Sequence, residues 1–267
     1  MINKKTIIII VISIISIFTY LHLQKYLNTS KKENIQQDDF YKTEQINENA
    51  KNDKNIYIIR FYSNIEEQQK ILKQIENINI KSYNIKTKRE SKIPLGSIVN
   101  GINPPENTRF YMLHQVNISK IPTLEGVYSS LSISKNAYIH TGYKLDTYPI
   151  VTTHYYDRLF LHVLSGAVQL TIWHPNQEKY MYLSNKLQTG LKNNSTAFRN
   201  CGFNLDTFDE KKYSKLKKSN STNIILRAGN LIYIPNFWFF KIHYLENSIG
   251  LFYTSTTLIS GGYSIIN

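Results

Sequence analysis

Cysteine is almost absent. Cys201 is the single one in 267 residues, which excludes an internal disulfide framework and any cysteine-rich zinc site. That scarcity leaves the compartment open, because a domain of this length can bury enough surface to fold without cross-links. Glycine (11) and proline (7) are also sparse, so collagen-like and proline-rich filament architectures are excluded. Several local signatures are missing as well. There is no Gly-x-Ser-x-Gly elbow, no Walker loop and no Gly-x-Gly-x-x-Gly run, so hydrolase and nucleotide-binding readings lack local support. No repeat of fixed period is visible. Acid is in short supply, 19 Asp and Glu against 32 Lys and Arg.

What is present points to a folded, β-rich chain. Hydrophobic residues at 42% exclude wholesale disorder, and 20 Tyr, 12 Phe and 2 Trp supply large strand-favouring side chains. The length suits one domain of about 200 residues with appendages. Of the net charge of +13, residues 1–54 contribute 8 basic and 6 acidic residues, so the excess lysine belongs to the remainder. Two clusters stand out: Lys81, Lys86, Lys88, Arg89 and Lys92, then Lys211, Lys212, Lys215, Lys217 and Lys218. They read either as ordinary solvated surface or as a face for nucleic acid or anionic lipid.

Residues 6–23 (TIIIIVISIISIFTYLHL) carry no formal charge, and 18 residues of helix span about 27 Å, close to the hydrocarbon thickness of a bilayer. No small-x-small cleavage site follows, since Tyr20, Leu21, His22 and Leu23 are bulky; an uncleaved anchor is expected. Lys4 and Lys5 on one side face Lys25, Lys31 and Lys32 on the other, which leaves its orientation open. The expected organisation is a tail at 1–5, a transmembrane anchor at 6–23, a flexible linker at 24–54, an α/β lead-in at 55–95 and a β-barrel at 96–267.

Within the lead-in, residues 56–62 form a β-type run, and Ser63-x-x-Glu66 has the form of a capping box opening a helix to about Asn77, with Ile65, Leu72 and Ile75 on one face. Beyond Pro94 come short apolar runs punctuated by Gly, Asn and Pro, the pattern of an all-β sandwich or barrel. The clearest pair of runs, 159–164 and 168–173, flanks Ser165-Gly166-Ala167 and reads as a hairpin. A second set follows from Asn223: NIILR, LIYI, FWFFKIHYL and SIGLFYTST, separated by short turns.

LFLHVLSGAVQLTIWHP and ILRAGNLIYIPNFWFFKI resemble the two signatures of cupin-like, JmjC-type Fe(II)/2-oxoglutarate hydroxylases, nearest to the asparaginyl-hydroxylase and wybutosine-tRNA-hydroxylase branch. MYLSN and NLDTFDEKKYSKLKK occupy the place of that family's connector, and RFYMLHQVNISKIP is similar to its lead-in. The likeness covers about residues 105–255. It implies a double-stranded β-helix, the jelly-roll, with Fe(II) and 2-oxoglutarate as cofactors.

The site residues depart from that family. Its iron is held by two His and one carboxylate, the first two as His-x-Asp on one strand face. Counting back from Gly166 without a gap puts Thr153 and Tyr155 at those positions; a one-residue deletion puts His154 and Tyr156 there, and neither register supplies the carboxylate. Aligning Ile234-Pro235 places Phe240 at the distal histidine, after Trp238 and Phe239. The cosubstrate-binding lysine becomes Val168. A rearranged set of His154, Asp157 and His243 would need a bulge, because i and i+3 face opposite sides of a strand and His243 has opposite parity to Phe240. Nor is there a His-x-His pair for a germin-type site. His154 otherwise reads as a hydrogen-bonded pocket or core residue, His162 as a packed strand histidine and His174 as a turn residue. Tyr233, Phe237, Trp238, Phe239 and Phe240 either line an apolar pocket or fill the barrel. Sequons at Asn28, Asn117, Asn193, Asn194 and Asn220 are what so Asn-rich a chain gives by chance.

Three functional classes remain. The first is a catalytically silent, membrane-tethered module that binds a protein or small ligand, needs no cofactor and faces an anionic lipid surface or a protein partner. The second is a hydroxylase with rearranged ligands, and the third an RNA-binding or tRNA-directed protein.

Overall fold

A computed structural model of the chain describes residues 43–45, 56–60, 62–84, 86–87, 89–100, 108–110, 114–116, 134–147, 151–153, 158–183, 198–200, 211 and 213–256. The expected anchor at 6–23 and tail at 1–5 lie outside these residues, as do His154, Tyr155, Tyr156 and Asp157. Among the described residues no helix is long and apolar enough to cross a membrane.

Two antiparallel sheets form the body of the fold. The seven-stranded sheet runs β1 (Thr43–Gln45), β2 (Tyr57–Ile59), β13 (Leu231–Ile234), β9 (Arg158–Ser165), β15 (Ser248–Thr256), β7 (Ser134–Gly142) and β6 (His114–Val116). The five-stranded sheet runs β11 (Phe198–Asn200), β8 (Val151–Thr153), β14 (Phe239–Tyr244), β10 (Ala167–Trp173) and β12 (Thr222–Arg227). A third, three-stranded sheet is ordered β4 (Glu90–Pro94), β3 (Asn79–Asn84) and β5 (Thr108–Phe110).

Strands β7, β9, β13 and β15 of the large sheet interleave in sequence with β8, β10, β12 and β14 of the small one. Such an alternation between two facing sheets is the all-β jelly-roll expected from the sequence. Period-2 alternation then assigns each side chain to a layer. Leu159, Leu161 and Val163 of β9 point between the sheets with Val168, Leu170 and Ile172 of β10 and Phe240 and Ile242 of β14. Leu164 points the other way, into a second core built with Ile71, Ile75, Ile80, Leu95, Ile98, Leu251 and Tyr253. Helices α1 (Ile65–Ile75) and α2 (Leu95–Val99) contribute to that second core. Because both faces of β9 are covered, its sequence is apolar almost throughout.

Two sequence expectations need correction. The segment 159–173 is not a hairpin: β9 pairs with β13 and β15, whereas β10 pairs with β12 and β14. Gly166, at φ 77, turns the chain from one sheet into the other at the barrel rim, where a Cβ would meet Asn247 O and Ser248 Oγ. A crossover and a hairpin present the same strand, glycine, strand pattern, so alternation alone cannot separate them.

The helix cap lies one residue later than expected. Asn64, not Ser63, caps α1: its Oδ1 accepts from Glu67 N at 2.9 Å, and Glu67 Oε2 accepts from Asn64 N at 3.0 Å. The helix ends at Ile75, and the buried face carries Ile71 and Ile75 while Ile65 is exposed. The lead-in contributes to the large sheet, since β2 pairs with β13 and Ile56 and Ile58 lie in the main core. Strand β1, placed inside the expected linker, pairs with β2.

Candidate functional site

Strand β14 decides what lines the barrel interior. Phe240 is fully buried, stands opposite Val151 of β8 and Ile172 of β10, and meets the Phe252 ring at a centroid distance of 5.7 Å. Trp238 and Val168 belong to the same core. Val168, Trp238 and Phe240 thus share the core between the two sheets. Phe239, by contrast, faces outward to a third cluster with Trp173 and Met181, while Phe237 is exposed in the turn before β14 at φ 66. Tyr233 is half-buried and packs on Phe160 at 5.2 Å. Thr153 ends β8, paired through its backbone with Phe198; His154, Tyr155, Tyr156 and Asp157 lie beyond it, outside the described residues.

Beside Val168 sits a polar pair that sequence reasoning missed. Val168 is opposite Tyr244 in register, and Tyr244 Oη lies 2.9 Å from His140 Nδ1. Both residues are fully buried. Each large ring is admitted by a glycine on a strand: a Cβ at Gly142 would fall 2.6 Å from the Tyr244 ring, and one at Gly250 would strike the His140 imidazole. The remaining ring nitrogen, His140 Nε2, has no hydrogen-bond partner among the described residues. Burial, reinforced by nearby His162, pushes the His140 pKa down to about 3, so the imidazole is neutral at physiological pH. The available signal was Gly142 and Gly250 inside apolar strand runs, since an interior strand glycine marks close approach of another group.

The other histidines occupy different layers. His243 follows its parity to the outer side of β14, half-buried, with Nδ1 2.7 Å from Thr147 Oγ1; burial and then Lys241 lower its pKa. It faces away from the Phe240 interior, so β14 does not deliver it to a metal site there. His162 is a packed strand histidine, as expected. Its Nε2 lies 2.8 Å from Ser63 Oγ, Tyr62 meets its ring edge-on at 5.5 Å, and burial lowers its pKa to about 4. His174 caps a 3-10 segment (Pro175–Tyr180) by accepting from Asn176 N at 3.2 Å. Among the described residues no group of three or more His, Cys, Asp or Glu could hold a metal ion.

A family model described as "Cupin-like domain" matches residues 22–257. The chain belongs to the cupin-like domain family. A search of curated proteins gave no significant match. The match takes in every described strand, from β1 to β15. For this cupin-like domain, the donor set at the described positions does not fit the Fe(II) and 2-oxoglutarate that the resemblance implies. Phe240 and Val168 have only carbon in their side chains, and in the polar pair beside Val168, Tyr244 with His140, only His140 Nε2 is left without a hydrogen-bond partner among the described residues, one donor where the triad needs three.

Proposed function

We propose that this cupin-like domain is a binding module for a protein or small ligand, tethered to a membrane through residues 6–23, and that it does not carry out iron-dependent oxidation. One observation supports the second part most directly: Phe240 and Val168, at the distal-ligand and cosubstrate positions, are both fully buried in a core of Leu, Ile, Val and aromatic side chains. A ferrous ion there would find no lone pair on Phe240. A 2-oxoglutarate carboxylate would find no cation at Val168, and burying such a charge without a partner costs several kcal/mol or more. The branch of asparaginyl and wybutosine-tRNA hydroxylases is then a resemblance in scaffold rather than in chemistry. The tether reading rests on the uncharged run at 6–23 and the bulky residues after it.

The test uses the full chain, purified in detergent with iron supplied throughout. Iron far below one per chain and conversion of 2-oxoglutarate to succinate no faster than a blank are expected. About one Fe(II) per chain, lost on His154→Ala or His243→Ala, would instead establish a hydroxylase with rearranged ligands.

A further inference from the structure

Residues 211–245 contain no Asp or Glu and seven Lys and Arg. Five of those seven lie in the run KKYSKLKK, residues 211–218, and a second 3-10 segment, Ser214–Lys218, sets their directions. At three residues per turn, Tyr213, Leu216 and Ser219 fall on one line. That line faces inward: Tyr213 and Leu216 pack against the Trp173, Met181 and Phe239 cluster, and Ser219 Oγ accepts from Trp173 Nε1 at 3.0 Å. The other two lines carry Ser214, Lys215, Lys217 and Lys218, all exposed, with Lys211 exposed just before them. Exposed Lys179 extends the ridge from the Pro175–Tyr180 segment, which is tied to this one by Asn220 N donating to Gln177 Oε1 at 3.1 Å.

We propose that this lysine ridge docks onto an anionic phospholipid surface. The proposal rests on the tethered-module reading above, in which the 19 residues 24–42 join the apolar run to the strand-bearing unit that starts at Thr43. A connection of that length spans at most ~65 Å, so encounter of the ridge with the bilayer is intramolecular. Side-chain chemistry favours lipid over nucleic acid. The ridge's cations are all lysine, with Glu178 the exposed acid beside Lys179, and lysines are compact charges on flexible stems that suit a diffuse anionic plane. RNA binding calls for open aromatic faces or guanidinium planes on which bases stack, and the tyrosines here are turned to other uses. Tyr182 and Tyr213 meet edge to face at 5.1 Å, Tyr182 Oη accepts from Lys215 N at 3.1 Å, and the Lys179 ammonium sits 5.0 Å from the Tyr180 ring centre. The other basic cluster is mixed, since exposed Lys92 shares β4 with Glu90, and it serves as an internal control.

The experiment reconstitutes the full chain into nanodiscs of phosphatidylcholine, with or without about 30% phosphatidylserine, and follows lysine acylation by peptide mass spectrometry. One lysine near such a surface shifts partition roughly fivefold. Acylation of Lys215, Lys217 and Lys218 should therefore slow several-fold in the anionic discs, recover at about 0.5 M salt where the Debye length is only a few ångströms, and leave Lys92 unchanged. Equal acylation in both discs, with the chain incorporated, overturns the ridge alone. A chain that does not co-purify with the discs overturns the tether and the proposal with it. Protection by added RNA but not by phosphatidylserine would assign the ridge to nucleic acid and overturn the lipid reading.

Discussion

His140 and Tyr244 are hydrogen-bonded across the barrel interior, Nδ1 to Oη at 2.9 Å, each seated over a glycine of the large sheet. Gly142 leaves room for the tyrosine ring and Gly250 for the imidazole, and Gly250 and His140 are register partners on β15 and β7. The pair lies beside Val168, the position where the family resemblance calls for a lysine. Two large rings and a neutral hydrogen bond thus border the position that the resemblance assigns to the lysine.

The glycines give the first prediction. Gly142→Ala and Gly250→Ala each force a methyl into ring atoms that have no open space to retreat to, so each should destabilise by about 1–3 kcal/mol, the usual cost of overpacking. Tyr244→Phe should cost a comparable ~1–3 kcal/mol by leaving His140 Nδ1 without its partner. Urea denaturation monitored by tryptophan fluorescence measures all three. Wild-type stability in both alanine variants would show that the rings are not fixed over the glycines.

Acid sensitivity follows from the two buried histidines. His140 and His162 have folded-state pKa values lowered to about 3 and about 4, against about 6.5 in an unfolded chain. Below pH 6.5 the unfolded state binds more protons than the folded one, so stability is fully present above that pH and falls as pH drops toward 4 and 3. The slope should approach 1.4 kcal/mol per pH unit for each histidine within its window. Unfolding free energy measured from pH 7.5 to 4.5 should decline accordingly, and His162→Gln should flatten the curve. A profile independent of pH across that range would contradict the buried neutral state of both rings.

Ser63 and Asn64 are adjacent and do different jobs, which separates their variants. Asn64→Ala removes the helix cap and should cost ~1 kcal/mol. Ser63→Ala takes the partner from His162 Nε2, whose Nδ1 already lacks one among the described residues, and should cost ~1–3 kcal/mol. Only the Ser63 variant should alter the acid dependence described above. If the Asn64 variant instead shifts that dependence while the Ser63 variant does not, the assignment of the two roles is reversed.

Much of this fold is written in strand alternation and turn residues. The apolar runs at 159–173 and 223–256 become β9, β10 and β12 to β15, and parity correctly sends Phe240 inward and His243 outward. What alternation does not carry is the partner of each strand. Leu159, Leu161 and Val163 would alternate in the same way in a hairpin or in a crossover, and only the packing of two sheets on one core selects the latter. The cap shows the same limit at shorter range: Ser63-x-x-Glu66 and Asn64-x-x-Glu67 are equally good boxes, and the burial of Ser63 against His162 chooses between them. The His140–Tyr244 pair depends on residues more than a hundred positions apart, and its trace in the sequence is two strand glycines.

The anchor reading makes a simple demand. The full-length chain should remain in the membrane fraction through alkaline carbonate washing, and deletion of residues 1–24 should release it as a soluble protein. Recovery of the full chain in the carbonate supernatant, or of a mature form beginning after Leu23, would refute a membrane-spanning segment at 6–23.

The last prediction concerns what it takes to put an iron site into this interior. Phe240→His alone buries an imidazole in an apolar core and gives it no described partner, so it should destabilise by about 1–3 kcal/mol and restore no turnover of 2-oxoglutarate. The reason is cooperative: a facial triad needs two histidines and a carboxylate together, and the cosubstrate also needs a cation where Val168 stands. Val168→Lys alone should be worse, because an unpaired ammonium beside Tyr244 would have to be buried or lose its proton. A variant carrying Phe240→His, Val168→Lys, Thr153→His and Tyr155→Asp is the minimal set that supplies every missing group in the ungapped register. Iron uptake by that variant and not by any single substitution would support loss of the whole donor set. Iron-dependent succinate formation by Phe240→His alone would mean that the remaining ligands are already in place, and the silent-module reading would fail.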